Sequence, residues 1–131
     1  MKVLMTGCTG HAGRNALEHF VNHGHEVHAL VRPHHISNLK ERENVKWIAG
    51  DFSDSEIISD SAYNCDAVVH IGASHDEHME SLDTNFISSV TEAFDKTGKV
   101  FITTSASVVY NDTKGVPRDE SEPIENPHPL R

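Results

Sequence analysis

A short segment near the C-terminal end of the chain carries hydroxyl and amine side chains that could transfer a proton. The segment "TSASVVYNDTKG" contains Ser105 and then Tyr110, with Lys114 four residues further on. On a helix this spacing puts tyrosine and lysine on one face, where the ammonium lowers the pKa of the phenol and lets it exchange a proton with a carbinol. However, "YNDTKGVP" consists largely of turn-forming residues, which argue against a helix. We therefore interpret Tyr110 and Lys114 as a chance match and not as a catalytic pair.

A glycine-rich segment near the N-terminus could bind a phosphate. Gly7, Gly10 and Gly13 form G-x-x-G-x-x-G between an apolar run and an amphipathic segment. In this pattern the first glycine permits a tight turn, the second lets a phosphate approach bare backbone, and the third lets a helix pack closely on a strand. The helix N-terminus adds free N–H groups and a positive dipole end, so the pattern predicts binding of a dinucleotide pyrophosphate. A purely structural turn could use the same glycines, but the flanking strand and helix favour the binding interpretation.

An arginine at the end of the second predicted strand bears on which dinucleotide would bind. A free ribose diol is usually held by Asp or Glu about 20 residues into such a unit. This chain has Arg32 there, and Arg14 lies just past the glycine segment. A guanidinium can bind a 2′-phosphate in bidentate fashion, so NADP is favoured over NAD. The alternative is that Arg32 is only a solvated charge at a strand end.

Strands and helices alternate along the chain. Strands are predicted at 2–5, 26–31, 45–50, 66–72 and 99–104. Helices are predicted from Ala12 to a Gly24 cap, weakly at 36–42, after a capping box at 53–56, and from Leu82 to a stop at Gly98. The strands are near-continuous apolar runs, which is typical of a parallel sheet covered on both faces. The prediction is an α/β, Rossmann-like doubly wound sheet of order 3-2-1-4-5, with a ligand crevice where strands 1 and 4 diverge.

Composition excludes some partners and divides the chain. The 131 residues carry a formal net charge of −9 without a cluster of Lys and Arg, so we expect neither a nucleic-acid nor a membrane-binding surface. Cys8 and Cys65 have no zinc-ligand spacing, and we interpret them as reduced thiols of a cytoplasmic protein. Four of the five prolines follow Gly115. We therefore predict a dinucleotide-binding domain over 1–113 and a Pro- and acid-rich loop or tail over 114–131.

Five segments, in order, resemble the short-chain dehydrogenase/reductase superfamily, and most closely its extended epimerase/dehydratase branch. They are "TGCTGHAG", "AGDFSD", "VVHIGA", "DTNF" and "ITTSASVVYND". The resemblance implies that Asp51 and Phe52 contact the adenine, and that Asn85 stands at the start of the fourth helix. It also implies that Ser105 hydrogen-bonds the reacting oxygen of a substrate, with Ser107 as a rival because of one extra residue before Tyr110. Together with the glycine and Arg32 arguments, the expected cofactor-binding residues are Gly7, Thr9, Gly10, His11, Ala12, Gly13, Arg32, Asp51, Phe52, Ile71, Gly72, Ala73, Asn85 and Thr103.

The resemblance also implies a reaction and a missing part. Relatives transfer hydride to or from a hydroxyl or carbonyl of a sugar nucleotide or similar small molecule, and their working Tyr-x-x-x-Lys lies on a helix beyond an acidic, proline-rich loop. The segment after Gly115 looks like that loop, so the chain is expected to be an N-terminal portion that binds NAD(P) and lacks its proton donor. The alternative is a non-catalytic NAD(P)(H) sensor or a degenerate remnant. An open sheet edge would permit a homo-oligomer.

Histidine and cysteine supply weaker signals. "HDEH" at 75–78 and the pair His34 and His35 could suggest a metal, but no third ligand is evident, so solvated loop histidines are favoured and no metal site is predicted. His70 lies inside a predicted strand, which favours a buried structural imidazole. Cys8 precedes a helix N-terminus that could lower its thiol pKa, but a small residue fitting the turn is the preferred interpretation.

Overall fold

A computed structural model describes residues 1–74, 77–105, 110 and 112–124. The five strands are β1 (Lys2–Thr6), β2 (Glu26–Val31), β3 (Val45–Ala49), β4 (Ala67–His70) and β5 (Val100–Thr103). The four helices of these ranges are α1 (His11–Asn22), α2 (Pro33–Ile36), α3 (Ser55–Tyr63) and α4 (Met79–Phe94). None of them is both long and apolar enough to cross a membrane.

The strands form one parallel sheet in the order β3-β2-β1-β4-β5, which confirms the predicted fold class and strand order. The central strand β1 pairs with β2 on one side and β4 on the other, with Val3 opposite Val27 and Ala67. Because both faces are covered by helices, alternate residues of β1 enter different cores. Val3 and Met5 pack with Leu17 of α1, whereas Leu4 packs with Phe86 of α4.

Helix ends agree with the sequence only in part. Gly24, at φ 76°, ends α1 as predicted, and its N–H donates to the Val21 carbonyl. The predicted capping box at 53–56 is wrong. Asp54 occupies the N-cap position of α3 without a side-chain cap bond, because the Ser53 hydroxyl donates to Asp51 instead.

Two other helix boundaries differ from their predictions. No helix covers 36–42, since α2 is a single turn that begins at Pro33, whose fixed φ suits the first helical position. Helix α4 ends at Phe94, before Gly98. The chain turns there through Lys96, at φ 55°, and only then through Gly98, at φ 70°. Residues 112–124 contain neither helix nor strand.

Candidate functional site

A cleft of about 200 Å³ opens at the carboxyl ends of β1, β2, β3 and β4. It lies where the chain leaves β1 for α1 on one face of the sheet and leaves β4 for α4 on the other, which is the predicted crevice. The residues lining it are Gly7, Thr9, Leu30, Val31, Arg32, His35, Gly50, Asp51, Phe52, Gly72, Ala73, Ser74 and Leu82. Six of the residues predicted to bind the cofactor are therefore brought together with Arg32 around a single concave surface.

Gly7 and Thr9 of the glycine segment line this cleft, whereas Gly10 and Gly13 do not, and the backbone at Gly7 and Gly13 is too crowded for side chains. Gly7 has φ 74°, and a Cβ added there would lie 2.6 Å from the Gly72 nitrogen. The Gly7 carbonyl accepts a 2.9 Å hydrogen bond from Gly10 and would lie only 1.9 Å from a Cβ on Gly13. Strand β1, helix α1 and the segment after β4 can approach this closely only because glycine occupies positions 7 and 13.

The N-terminus of α1 is open to an anion. Gly10 is the N-cap, no side chain caps this end, and the first turn contains no acidic residue. Helix geometry leaves the first N–H groups without intrahelical acceptors, and the dipole makes this end positive. His11 and Ala12 begin the helix and are exposed, and Arg14 Nε donates to the Thr9 carbonyl at 2.9 Å. Bare backbone donors beside Gly7 and Gly10 fit a diphosphate.

The opposite wall of the cleft carries charged and polar side chains. Arg32 is exposed, lines the cleft, and forms no ion pair or hydrogen bond through its side chain within the described ranges. Asp51 Oδ1 accepts hydrogen bonds from the backbone and hydroxyl of Ser53. His35, one turn after Arg32, also lines this wall, and its backbone N–H donates to the Arg32 carbonyl at 2.9 Å. His35 was not predicted from the sequence, although its position in the turn that follows β2 was an available signal.

The segment after β4 forms the remaining wall. Gly72 and Ala73, which are predicted to line the cofactor, belong to the cleft lining, and so do Ser74 and Leu82, which were not predicted from the sequence. Ile71, predicted to line the cofactor, instead packs against the apolar cluster on the α1 side of the sheet. Its side chain points there because successive residues of an extended segment face opposite sides.

Asn85 was predicted to stand at the start of the fourth helix. The structure places it in the second turn of α4 instead. Its Nδ2 donates to the Phe52 carbonyl at 2.7 Å, and its Oδ1 accepts from the Ser55 hydroxyl at 2.9 Å. Asn85 therefore ties α4 to the cleft-lining Phe52 and to the start of α3, and it does not line the cleft itself.

His70 is the buried imidazole that the sequence predicts, at 3% exposure. Its Nδ1 lies 2.8 Å from the Thr6 hydroxyl, which also accepts the Gly72 N–H at 3.0 Å. The His70 ring stacks on the Phe86 ring, with the ring centroids 4.2 Å apart. It packs edge to face with the Phe52 ring, with the centroids 5.1 Å apart. Burial lowers the pKa of His70 below its usual value, and the nearby carboxylate of Asp83 opposes this shift.

The hydroxyl and amine side chains singled out near the C-terminal end of the sequence do not belong to the cleft lining where the structure describes them. Thr103 ends β5 and Ser105 follows it, both exposed, and neither belongs to the cleft lining. Ser107 falls outside the described residues. Lys114 has φ 52°, and its N–H donates to Asp112 in a turn, so Lys114 shares no helical face with Tyr110.

Cysteine and histidine form no further centre among the described residues. Burial raises the pKa of Cys8 to about 12, opposite to the shift that a helix N-terminus could cause, because the thiol is 1% exposed. No three His, Cys, Asp or Glu side chains of the described ranges are grouped to hold a metal ion. His75 and Asp76 of the "HDEH" segment lie outside those ranges.

Known proteins resemble the chain over most of its length. An uncharacterized protein of Saccharomyces cerevisiae is 29% identical over 131 residues, which cover 91% of this chain and 44% of that protein. The Bordetella bronchiseptica enzyme WbmH, solved with NAD+, matches with a TM-score of 0.71 at 23% identity, covering 84% of this chain and 40% of WbmH. UDP-glucose 4-epimerase of Bifidobacterium longum, solved with NAD+ and UDP, matches with a TM-score of 0.75 at 20% identity. That match covers 96% of this chain and 43% of the epimerase.

The chain thus spans less than half the length of these relatives. The structural likenesses at these identities establish the Rossmann-like fold. The sequence itself matches the NAD dependent epimerase/dehydratase family from residue 3 to residue 131, and the chain belongs to that family.

Proposed function

We propose that this chain is the NAD(P)-binding part of an epimerase, dehydratase or reductase that acts by hydride transfer on a hydroxyl or carbonyl group. The observation that carries the proposal is the uncapped N-terminus of α1, which directly follows the cleft-lining residues Gly7 and Thr9. Family membership and the NAD+ in two related structures support the same ligand. A bound nicotinamide would supply the hydride acceptor or donor.

The lining residues suggest how a dinucleotide would lie. The backbone from Gly10 to Ala12 would bind the diphosphate. Asp51 and Phe52 would contact the adenosine at one end, and Gly72 and Ala73 would line the path toward the nicotinamide at the other end. In this arrangement 1–113 is the binding unit, and 114–131 is a separate loop or tail.

We further propose a preference for NADP over NAD. Arg32 lies at the adenosine end of the cleft without an ion-pair partner in the described ranges, so its guanidinium is available to a 2′-phosphate. His35, on the same wall, is a second donor for that phosphate. A carboxylate in the place of Arg32 would instead favour a free ribose diol.

The substrate would be a small molecule, and the UDP in the related Bifidobacterium structure favours a sugar nucleotide. Ser105, or Ser107 as its rival, would hydrogen-bond the reacting oxygen. Tyr110 and Lys114 would not form the acid–base pair, because the turn around Lys114 does not place them on one helical face. In a form of the protein that catalyses the reaction, we expect Tyr110→Phe to leave activity largely intact.

A second candidate is a non-catalytic sensor of NAD(P)(H). It is favoured by one observation: Ser105, Tyr110 and Lys114 all lie outside the cleft lining. The two candidates share the binding site and differ in turnover.

The first test is isothermal titration of the purified protein with NADPH, NADP+, NADH and NAD+. The proposal expects saturable 1:1 binding, tighter for the 2′-phosphorylated forms. If none of the four nucleotides binds, the proposal fails. Turnover of sugar-nucleotide substrates by a protein that binds nucleotide separates the enzyme from the sensor.

A further inference from the structure

A chain of polar groups runs from Asp83 of helix α4, whose side chain is 37% exposed, through buried His70 and Thr6 to Gly72 in the wall of the cleft. Thr6 is 0% exposed, and its hydroxyl oxygen accepts the Gly72 N–H at 3.0 Å. The same oxygen lies 2.8 Å from His70 Nδ1. On the far side of the imidazole ring, His70 Nε2 lies 3.7 Å from Asp83 Oδ1 on α4. The four groups thus connect a cleft-lining backbone amide to a carboxylate on a helix.

The hydrogen-bonding capacity of these groups selects one tautomer of His70. If the Thr6 hydroxyl donates to an unprotonated Nδ1, the Nε2–H points toward the Asp83 carboxylate, which can only accept. In the other tautomer, a lone pair on Nε2 would face that carboxylate. The Thr6 proton would then have no acceptor in the described part of the chain. The first arrangement is therefore the favourable one.

One link of this hydrogen-bonded series, between His70 and Asp83, is slightly too long for a hydrogen bond. Among the described residues, His70 Nε2 and Asp83 Oδ1 are the buried side-chain atoms that lack a hydrogen-bond partner. Leaving such groups unpaired is costly, and at 3.7 Å a slight rotation of the Asp83 side chain closes the bond. The ring itself is fixed between Phe86 and Phe52, so the adjustment falls to Asp83.

The hydrogen-bonded series of polar groups ends at Gly72, whose backbone lines the cleft. A Cβ on Gly72 would lie 2.9 Å from Phe52 Cζ and 3.1 Å from the Gly7 nitrogen, so this backbone has little freedom to move. The Thr6 hydroxyl sets the position of the Gly72 N–H, and the protonation of His70 Nδ1 decides whether that hydroxyl can donate.

We propose that His70 is a positioning residue for the Gly72 wall of the cleft, acting through Thr6, and that Asp83 acts by selecting the tautomer of His70. In this arrangement α4 influences the nucleotide site without touching the nucleotide. The effect on nucleotide affinity rests on the proposed function. The tautomer and the protection of the Gly72 amide are properties of the protein alone.

The test compares Asp83→Asn with Glu92→Gln in the full 131-residue protein without nucleotide. Both changes replace a carboxylate of α4 by an amide, but Glu92 is exposed and lies outside the buried network. The asparagine amide can donate as well as accept, so it no longer selects a tautomer. We expect ¹⁵N NMR to show Nε2–H alone in the parent and in Glu92→Gln, and both tautomers in Asp83→Asn. Hydrogen exchange of the Gly72 amide should become about fivefold faster in Asp83→Asn only.

A third variant tests whether His70 carries the effect. In His70→Asn the side-chain oxygen can replace Nδ1 as acceptor for the Thr6 hydroxyl, while the link to Asp83 is lost. Adding Asp83→Asn to this variant should leave Gly72 exchange unchanged, which is the non-additivity expected of coupled groups. An Nδ1–H tautomer in the parent, equal Gly72 exchange in Asp83→Asn and Glu92→Gln, or additive effects in the double variant would overturn the proposal.

Nucleotide titration of the same variants separates this inference from the proposed function. We expect Asp83→Asn to weaken NADPH binding about threefold to fivefold, with Glu92→Gln unchanged. If no variant, nor the parent, binds nucleotide while the tautomer and exchange results hold, the proposed function fails and the positioning of Gly72 stands. If the parent binds and Asp83→Asn binds equally well, the claimed influence on the nucleotide site is refuted.

Discussion

Individual residues at the two ends of the cleft differ in how their role can be tested. Gly7 and Gly13 are fixed by distances that no other residue could satisfy. Arg32 is exposed, and its proposed role depends on whether the bound nucleotide carries a 2′-phosphate. The residue scale is therefore where the choice between NADP and NAD is decided, because that choice concerns one phosphate group.

Arg32→Asp should shift the preference from NADPH toward NADH by about tenfold or more. The change would remove the proposed charge-assisted contact to the 2′-phosphate and add a carboxylate that repels this phosphate and suits a ribose diol. The ratio of the two dissociation constants, measured by titration, is the relevant quantity.

The matched control is Lys40→Asp, which makes the same change of charge at an exposed residue outside the cleft lining. We expect it to leave the ratio unchanged. An unaltered ratio in Arg32→Asp would mean that Arg32 does not determine the preference between NADPH and NADH. An equal shift in both variants would assign the effect to net charge.

At the scale of elements, the contact between the end of β1 and the start of α1 creates the site. Gly13 lets the helix approach the Gly7 carbonyl, and Gly10 leaves the mouth of the helix bare. Gly13 serves packing, and Gly10 is proposed to serve binding, so their substitutions should have separable effects.

Gly13→Ala should destabilise the fold by about 3 kcal/mol or more, because its Cβ would lie 1.9 Å from the Gly7 oxygen and backbone must move. Gly10→Ala should cost about 1 kcal/mol or less, since φ is −79° there and the nearest contact of a Cβ would be 3.3 Å. Chemical denaturation measures both values.

Nucleotide titration then completes the comparison. Gly10→Ala places a methyl group at the mouth of α1, so it should weaken binding while the protein stays folded. Full affinity in a folded Gly10→Ala protein would mean that the diphosphate does not lie against this backbone.

At the scale of the whole molecule, the sheet is closed by helices around β1 and β4 but not at β5. Val100 and Ile102 of β5 are 51% and 53% exposed, whereas β4 is buried throughout and β1 is buried from Val3 to Thr6. Such an edge can accept another strand, which leaves room for the homo-oligomer considered from the sequence. Stability therefore depends mainly on the buried centre, where His70 is a titratable group.

Global stability should fall as the pH drops below the usual His pKa of 6.5. Because burial lowers the pKa of His70 in the folded protein, the unfolded chain binds a proton there at a higher pH than the folded chain does. The contribution is fully present above 6.5 and is lost as the pH falls through the folded-state pKa. His70→Gln should flatten the dependence of Tm on pH in this acidic range.

The control for this experiment is His34→Gln, which removes an exposed imidazole of α2. Equal slopes in the two variants would contradict the assignment to His70. Asp83→Asn should extend the loss of stability to lower pH and make it larger, because it removes the carboxylate that raises the pKa of folded His70 while the unfolded chain still binds its proton at the usual pH.

The amino-acid sequence alone determined the fold class, the strand order and the glycine turn. These follow from local signals: apolar runs for buried parallel strands, helical periodicity between them, and glycines at fixed offsets. The Gly24 cap was predictable for the same reason. The capping box at 53–56 failed because Asp51, outside that pattern, accepts the hydrogen bond from the Ser53 hydroxyl.

Only the tertiary structure decided which distant residues meet at the cleft. Thr6 and His70 are 64 residues apart, and Asn85 reaches the Phe52 carbonyl across 33 residues, so no local pattern encodes either contact. His35 lines the cleft although the sequence did not predict it, and Ile71 packs in the apolar cluster on the α1 side. Both positions depend on how the segments after β2 and β4 turn. Periodicity specifies which face of an element is buried, whereas hydrogen bonds between elements depend on how those elements pack together.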